Sequence, residues 1–200
     1  MLLTIGHSNH ETGAFLGLLA QNGVSAIGDV RSSPYSRYVP HFSRDALKST
    51  LTSAGVAYTF LGKEFGARSD NPLCYKNGKV QYDRLAQQPI FAEGVTRVIE
   101  GMKRYRIALM CAEKDPIECH RALLVARTFF NQGVPVSHIL ANGSLESHES
   151  MESRLLALCK LPEGDMFKSR AEFIAEAYLL QGDRVAYQDN EMANSQDLAS

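Results

Sequence analysis

Reactive side chains are concentrated between positions 111 and 121. Cys111 and Cys119 flank Glu113, and His120 and Arg121 follow directly. Thiolates act as nucleophiles, and histidine and glutamate can transfer protons near neutral pH. A helix N-terminus or a neighbouring arginine favours the thiolate form of a cysteine. These residue types predict a catalytic group in which Cys111 or Cys119 is the reactive thiol, Glu113 or His120 transfers protons and Arg121 contacts an anion.

Each of these residues also has a structural interpretation. Cysteine is most often a small buried apolar residue, and Cys111 follows an apolar run. The arginine could pair with a nearby acid, and the two cysteines could join in a disulfide. A soft metal could in principle use both cysteines with His120 and His7. The cysteines are eight residues apart rather than the two to four of common zinc motifs, so we expect no metal.

The same segment predicts a strand, a tight loop and a helix. Residues 107–110 form a short apolar run typical of a buried strand, and Asp115-Pro116 interrupts it. Helical spacing of apolar residues begins at Cys119, and Gly133 ends it. We therefore expect Cys119 in the first turn of a helix, with Cys111 close to it. In open α/β sheets, ligands bind at this edge, outside the carboxyl ends of the strands.

Strands and helices are predicted to alternate along the rest of the chain. Ser8 or Asn9 is the expected N-cap of the first helix, and residues 62–81 are expected to form a long irregular connection. The alternation predicts the α/β class: a single domain with about five mainly parallel strands covered by helices, a Rossmann-like three-layer arrangement, plus C-terminal helices. We expect an α/β domain at 1–145, a C-terminal helical appendage at 146–187 and a disordered tail at 188–200.

Composition narrows the class of protein. The net charge of −1 argues against a generally basic coat for nucleic acid, although a local nucleic-acid contact stays possible. The sequence has no apolar run of the length of a membrane helix and no secretory pattern at its start, so we expect no membrane partner. Four cysteines in 200 residues do not form a small disulfide scaffold. A cytoplasmic protein with reduced thiols is expected.

More candidate ligand-binding residues fall at the same predicted edge. His7 and Ser8 close the first predicted strand, and Asp29 and Arg31 close the second. Residues two apart on a strand point to the same face. Asp29 and Arg31 therefore form either a structural ion pair or an arginine that the aspartate aims at an anion. Arg37 lies in an aromatic loop of a composition that suits a base or a sugar-phosphate.

A glycine-rich loop adds a third arginine. It runs from Gly62 to Arg68, and its glycines would let the backbone approach a ligand. It lacks the Gly-Lys-Ser/Thr ending of a P-loop. Because all strand-to-helix crossings of a parallel sheet lie on one edge, we expect Arg31, Arg68 and Arg121 to border one cleft with His7. An anionic ligand would supply the counter-charge.

These fragments together resemble one family, known as domain of unknown function 488. The likeness covers about residues 2–140 and implies a compact α/β domain whose motifs belong together, but no established reaction or substrate. The matching pieces are Thr4-Ile5-Gly6-His7-Ser8, Asp29-Val30-Arg31, Pro34 with Ser36-Arg37 and Phe42, the Gly62 to Arg68 loop, and Met110-Cys111-Ala112-Glu113 followed by Pro116 and Cys119-His120-Arg121.

Three functions remain compatible with these residues. The leading interpretation is an enzyme acting on an anionic, phosphate-bearing or nucleotide-like ligand at the carboxyl edge of the sheet, with a reactive cysteine. A second is a non-catalytic module that binds a nucleotide or a nucleic-acid end, with structural thiols. A third is sulfur-transfer or thiol redox chemistry at Cys111 and Cys119. The residues do not identify a cofactor, so the cofactor is unknown from the sequence.

Overall fold

The computed structural model describes residues 1–189 and centres on a mixed sheet of six strands. In chain order, the strands are β1 (Leu2–Gly6), β2 (Ala26–Asp29), β3 (Ala57–Phe60), β4 (Tyr75–Lys76), β5 (Lys79–Val80), β6 (Ile107–Cys111), β7 (Val136–Ile139) and β8 (Leu145–Ser147). The sheet has the order β3-β2-β6-β1-β7-β8, and β4 and β5 pair separately. Only β8 runs antiparallel to its neighbour in the large sheet. The predicted α/β fold with about five mainly parallel strands is confirmed.

Helices cover both faces of the sheet. They are α1 (Thr12–Gln21), α2 (Arg44–Ser53), α3 (Gly62–Phe65), α4 (Tyr82–Ala86), α5 (Pro89–Met102), α6 (Arg127–Asn131), α7 (His148–Cys159) and α8 (Arg170–Val185). A π-helical segment, Arg121–Ala126, leads directly into α6. The apolar pattern after Cys119 thus forms a helix, but its first part is wound more widely than an α-helix.

Alternating side chains of the strands separate two apolar layers. Ile5 of β1 and Met110 of β6 pack in the layer that contains residues of α1 and α2. Leu109 and Cys111 of β6 pack in the other layer, with residues of α5, the π-helical segment and α6. Since neighbours on a strand point to opposite faces, the register of β6 places the Cys111 side chain under the second layer of helices.

The C-terminal part is joined to the sheet and to the helix after β6. β8 pairs with β7, and α7 and α8 share a third apolar cluster with Ile117 and Leu123. Lys79 forms an antiparallel bridge with Gln188, so the chain after α8 returns to the β4–β5 hairpin. The rest of the predicted tail, 190–200, lies outside the described residues. Among residues 1–189, no helix has the length and apolar character needed to cross a bilayer.

Two local expectations are corrected. α1 begins at Thr12 with Glu11 as its N-cap residue, not at Ser8 or Asn9. The backbone amides of His7 and Ser8 instead donate to the carbonyls of Cys111 and Ala112, at 2.9 and 2.8 Å, so the chain follows β6 for two more residues. The region 62–81 is not irregular throughout, since it contains α3 and the β4–β5 hairpin.

A buried chain of polar side chains connects β1 and β7 to the C-terminal helices. Thr4 Oγ1 lies 2.8 Å from His138 Nδ1, and His138 Nε2 lies 3.1 Å from His148 Nδ1. His148 Nε2 lies 2.9 Å from the Tyr178 hydroxyl, which donates to Glu152 at 3.1 Å. Burial lowers the pKa of His138 well below its ordinary value and lowers the pKa of His148 to about 4. Both histidines are therefore neutral in the folded protein near pH 7.

We expect His148 to make the protein acid-sensitive. The unfolded chain takes up a proton near pH 6.5, whereas folded His148 does so only near pH 4, so stability is lost as the pH falls through this window. The loss from His148 between pH 7 and 4.5 should be about 2–3 kcal/mol. His148→Gln should remove this part of the decline in urea unfolding, and equal declines in both proteins would contradict it. The groups that face His148 are His138, Tyr178, Arg127, Glu149 and Glu152.

Candidate functional site

The chain turns back on itself after β6 and brings two cysteines together. Asp115 accepts a hydrogen bond from the Ile117 amide at 3.0 Å and starts a 3₁₀ turn, Pro116–Glu118. This turn returns the chain to the end of β6. One ligating atom from each of Cys111, Glu113, Cys119 and His120 lies within 4.8 Å of every other. The prediction that the two thiols lie close together is confirmed.

Cys119 directly precedes the helix instead of lying in its first turn. Its backbone is extended, with φ −139° and ψ 136°. Its carbonyl accepts from the amides of Ala122 and Leu123, and its sulfur accepts from the Arg121 amide at 3.4 Å. These helix amides are therefore bonded to Cys119, so they are not available to a ligand.

His120 is oriented by the main chain of β2's continuation. Its Nε2 lies 3.0 Å from the carbonyl oxygen of Val30. A carbonyl can only accept, so Nε2 carries a proton and the other ring nitrogen faces the cysteines. That nitrogen, Nδ1, lies 3.7 Å from Cys111 Sγ and 4.0 Å from Cys119 Sγ.

The thiols differ in their ease of ionisation. Burial and the neighbouring Cys119 raise the pKa of Cys111 well above its ordinary value. Burial also opposes ionisation of Cys119, but the hydrogen bond from Cys111 and the charges of Arg121 and His120 lower its pKa well below the ordinary value. Cys119 is thus the thiol that ionises first.

Glu113 is the exposed member of the cluster. Its carboxylate accepts a hydrogen bond from the Cys119 thiol at 2.8 Å, and the residue as a whole is exposed. Desolvation of the carboxyl group beside the sulfur and the charge of Cys119 raise the pKa of Glu113. The crowding of acidic groups therefore disfavours full ionisation of the cluster.

Arg121 holds the loop that carries Glu113. The side chain is 0% exposed, and its guanidinium donates to the carbonyls of Glu113 and Lys114, at 2.6 and 3.2 Å. Within residues 1–189, its Nε has no hydrogen-bond partner. The prediction that Arg121 contacts an anion is not supported by this geometry, because the charged group faces main-chain carbonyls.

Asp29, Arg31 and His7 form a second buried group at the same edge. Asp29 accepts from Arg31 Nε at 2.9 Å and from NH2 at 2.6 Å, and it also accepts from the Tyr58 hydroxyl at 2.8 Å. His7 Nδ1 donates to the Ser8 carbonyl at 2.8 Å, so Nε2 can accept from Arg31 NH1 at 3.1 Å. Burial and the charge of Arg31 lower the pKa of His7 to about 4. The sequence allowed either a structural ion pair or an arginine oriented by the aspartate. The structure combines the two, because the ion pair with Asp29 also fixes the orientation of Arg31.

A cavity of about 300 Å³ opens beside the cysteines. Cys111, Glu113 and His120 line it together with Arg31 and Arg68. We call this cavity the cysteine pocket. Of the three arginines predicted to border one cleft, Arg31 and Arg68 line this pocket and Arg121 does not. The other candidates, His7, Ser8, Asp29, Arg37, Cys119 and Arg121, do not line the pocket.

Several lining residues were not found from the sequence. They include Ser32, Tyr82, Glu118 and Tyr187. Tyr187 follows α8, and the Arg68 guanidinium stacks 4.4 Å from its ring centroid. No sequence motif connects Tyr187 with the pocket, so this contact could be recognised only in the folded structure.

The glycines of the loop from Gly62 to Arg68 allow close packing against other parts of the protein, not against a ligand. A Cβ atom on Gly62 would lie 2.1 Å from the Arg31 carbonyl, and one on Gly66 would lie 2.5 Å from Ser32 Oγ. The loop therefore packs against the residues that follow β2, and this contact helps to shape the wall of the pocket that carries Arg31.

Comparison with known proteins identifies the family of the chain. The family described as domain of unknown function DUF488 matches residues 11–128. The chain belongs to this family. The DUF488 match contains the Asp29–Arg31 pair, Arg68 and the whole cysteine cluster, whereas His7 and Ser8 precede it. No curated protein and no solved structure matches the chain. The DUF488 description names no reaction, so the geometry of the site is the basis for a functional proposal.

Proposed function

We propose that the protein is an enzyme acting on an anionic, phosphate-bearing or nucleotide-like ligand in the cysteine pocket. One observation carries the proposal: the pocket has Cys111, Glu113 and His120 in its wall and also Arg31 and Arg68. A cavity that combines reactive and forked cationic side chains suits a substrate with a negatively charged group.

Arg31 and Arg68 are suited to bind the anion. An arginine has five N–H donors, and the contacts of Arg31 to Asp29 and His7 use three, so two remain for a ligand. Its position is fixed by the buried carboxylate, which lowers the entropy lost on binding. Arg68 is exposed and is supported by the ring of Tyr187.

The cysteine cluster would supply the chemistry next to the bound anion. Cys111, Glu113 and His120 line the pocket, whereas Cys119 is 1% exposed and lies behind them. Glu113 can exchange a proton with a ligand in the pocket, and Cys111 is the thiol in the pocket wall. His120 Nδ1 faces the two sulfurs, so this residue can exchange protons with the thiols. In this arrangement Cys119 acts through its neighbours, not by direct attack.

A second candidate function is thiol redox or sulfur-transfer chemistry. The observation in its favour is that the sulfurs of Cys111 and Cys119 lie within 4.8 Å of each other. Mild oxidation followed by peptide mapping tests it: redox chemistry requires a reversible Cys111–Cys119 disulfide. Peptides that contain both thiols in the reduced form after oxidation would reject the redox function.

We expect phosphate to stabilise the wild-type protein and Arg68→Ala to lose much of that effect. A ligand present at 100 times its dissociation constant adds about 2.7 kcal/mol to stability. Losing one charged hydrogen bond to the anion should weaken binding by about tenfold or more. Thermal unfolding at increasing phosphate concentrations measures both quantities.

Arg104→Ala is the matched control for Arg68→Ala. Arg104 is also exposed and also lies over an aromatic ring, that of Tyr105, but it does not line the cysteine pocket. It should keep the wild-type response. Equal responses of both variants would reject the anion site. Binding of nucleotides without turnover of any phosphate ester, followed by phosphorus NMR, would instead favour the non-catalytic binding module.

A further inference from the structure

The four side chains of the cysteine cluster have the spacing of ligands around one metal ion. Zinc has Zn–S distances of about 2.3 Å and Zn–N distances of about 2.0–2.1 Å, which place sulfur and nitrogen roughly 3.6 Å apart in a tetrahedron. The distances from His120 Nδ1 to the two sulfurs are 3.7 and 4.0 Å. Both exceed the length of a strong hydrogen bond, and both are close to the edge of such a tetrahedron.

Neighbouring groups hold the side chains of the cluster in positions and protonation states that suit metal binding. The Val30 carbonyl fixes the His120 ring through Nε2, which is the contact that ligating histidines usually make with their second nitrogen. The Arg121 amide donates to the Cys119 sulfur and supports negative charge on it. Arg121 also holds the Glu113 carbonyl, so the loop between the ligands is anchored.

The ligands differ in their access to the pocket. Cys111, Cys119 and His120 are buried, whereas Glu113 is exposed and reaches the pocket. The carboxylate of Glu113 lies 2.8 Å from the Cys119 sulfur and would have to withdraw by roughly 0.7 Å to reach a tetrahedral position. Three firm ligands and one that can exchange with water or substrate are typical of catalytic zinc sites.

A cation also resolves the electrostatics of the cluster. Two thiols and a carboxylate meet here, and the guanidinium of the nearby Arg121 supplies a single positive charge. Ionisation of all three groups would place like charges close together, and a divalent ion can neutralise two of them. The soft thiolate and imidazole donors favour zinc over magnesium or calcium.

The geometry points to a zinc-binding site formed by Cys111, Cys119 and His120, with Glu113 as an exchangeable fourth ligand facing the cysteine pocket. The site deepens the proposed function by naming its cofactor, and it rests on that function only for the role of the pocket. With zinc bound, Cys111 and His120 would hold the metal, and the metal would take the place of a free reactive thiol in the chemistry. The sequence analysis expected no metal because the cysteines are eight residues apart. The 3₁₀ turn Pro116–Glu118 removes that objection by returning the chain to β6.

Metal analysis of the full-length protein tests the site. After exposure to excess Zn²⁺ and gel filtration, the protein should retain about one equivalent. Co²⁺ should bind in its place and give a thiolate-to-cobalt charge-transfer band with the visible bands of tetrahedral cobalt. Cys111→Ser and Cys119→Ser should bind Zn²⁺ at least about 100-fold more weakly, since changing even an outer-shell partner commonly lowers affinity about 10–100-fold.

Cys74→Ser is the matched control. Cys74 is as fully buried as Cys119 but lies outside the cluster, so this variant should bind Zn²⁺ like the wild type. Glu113→Gln changes an exposed side chain and should keep Co²⁺ bound with altered visible bands, which gives a readout even if a cysteine variant does not fold. Wild-type protein that retains no Zn²⁺ overturns the proposal, as does equal retention by Cys74→Ser, Cys111→Ser and Cys119→Ser.

The outcome is separable from the anion-binding test. Zinc retention without a phosphate effect at Arg68 would keep the metal site and reject the proposed ligand. A phosphate effect at Arg68 in a protein that retains no Zn²⁺ would reject the metal site and keep the proposed ligand. Both measurements use the same purified full-length chain.

Discussion

Asp29→Asn should lower the free energy of unfolding by about 3–5 kcal/mol, the usual effect of removing one partner of a buried ion pair. Asp29 is fully buried, and its carboxylate holds Arg31 through two side-chain hydrogen bonds. Burial alone would lower the pKa of Arg31, and the hydrogen bonds and charge of Asp29 raise it above the ordinary value. An arginine keeps its proton even without such a partner, so the variant leaves a buried guanidinium whose charge is no longer paired. Urea unfolding measures the loss.

Two further variants distinguish the effect of an unpaired buried charge from the effect of changing any charged residue. Asp29→Leu combined with Arg31→Met removes both charges and should recover much of the stability, because a well-packed apolar pair can replace a buried ion pair. Glu100→Ala removes the partner of Lys103 in an exposed pair and should change stability by less than about 1 kcal/mol. An Asp29→Asn variant as stable as Glu100→Ala would contradict the prediction.

The sequence was most informative about the elements next to the site. Apolar runs such as Ile107–Met110, separated by glycine and proline, indicate parallel strands, and the carboxyl ends of such strands lie at one edge. The proximity of Cys111 and Cys119 could therefore be predicted. Strand order could not, because it depends on which apolar faces fit together after folding.

The role of Arg121 could not be predicted from residue types. Its partners are the main-chain carbonyls of Glu113 and Lys114. Every residue type has such a carbonyl, so the sequence gives no sign of this contact. Motif spacing likewise counts residues along the chain, whereas the turn at Pro116–Glu118 decides the distance in space. A metal-ligand pattern can thus escape a search based on spacing alone.

The region 62–81 contains a sequence signal for a hairpin. Asn77-Gly78 joins β4 to β5, and both residues have positive φ, 52° and 71°. Asparagine followed by glycine favours the type I′ turn of a two-residue hairpin because both residues tolerate this conformation. The pair predicts a hairpin where an irregular connection was expected.

Gly6→Ala should destabilise the protein by about 3 kcal/mol or more, the upper part of the range for forced contacts in a packed interior. A Cβ atom on Gly6 would lie 1.8 Å from the Glu113 carbonyl oxygen and 3.2 Å from Arg121 NH1. The loop after β6 would have to move away from β1. The hydrogen bonds from the His7 and Ser8 amides to Cys111 and Ala112 would then be strained or lost.

The same movement should also disturb the cysteine cluster. Glu113 lies between its carbonyl contact with Arg121 and its carboxylate contact with Cys119, so a displaced loop separates the ligating atoms. Zn²⁺ retention should therefore fall along with stability. Gly17→Ala, in the exposed part of α1 where a Cβ meets nothing within 4 Å, should instead stabilise the protein by about 0.5–1 kcal/mol. Thermal unfolding of Gly6→Ala and Gly17→Ala compares the two effects. Equal and small changes in stability would contradict the prediction, because they would show that the loop after β6 can move without destabilising the protein.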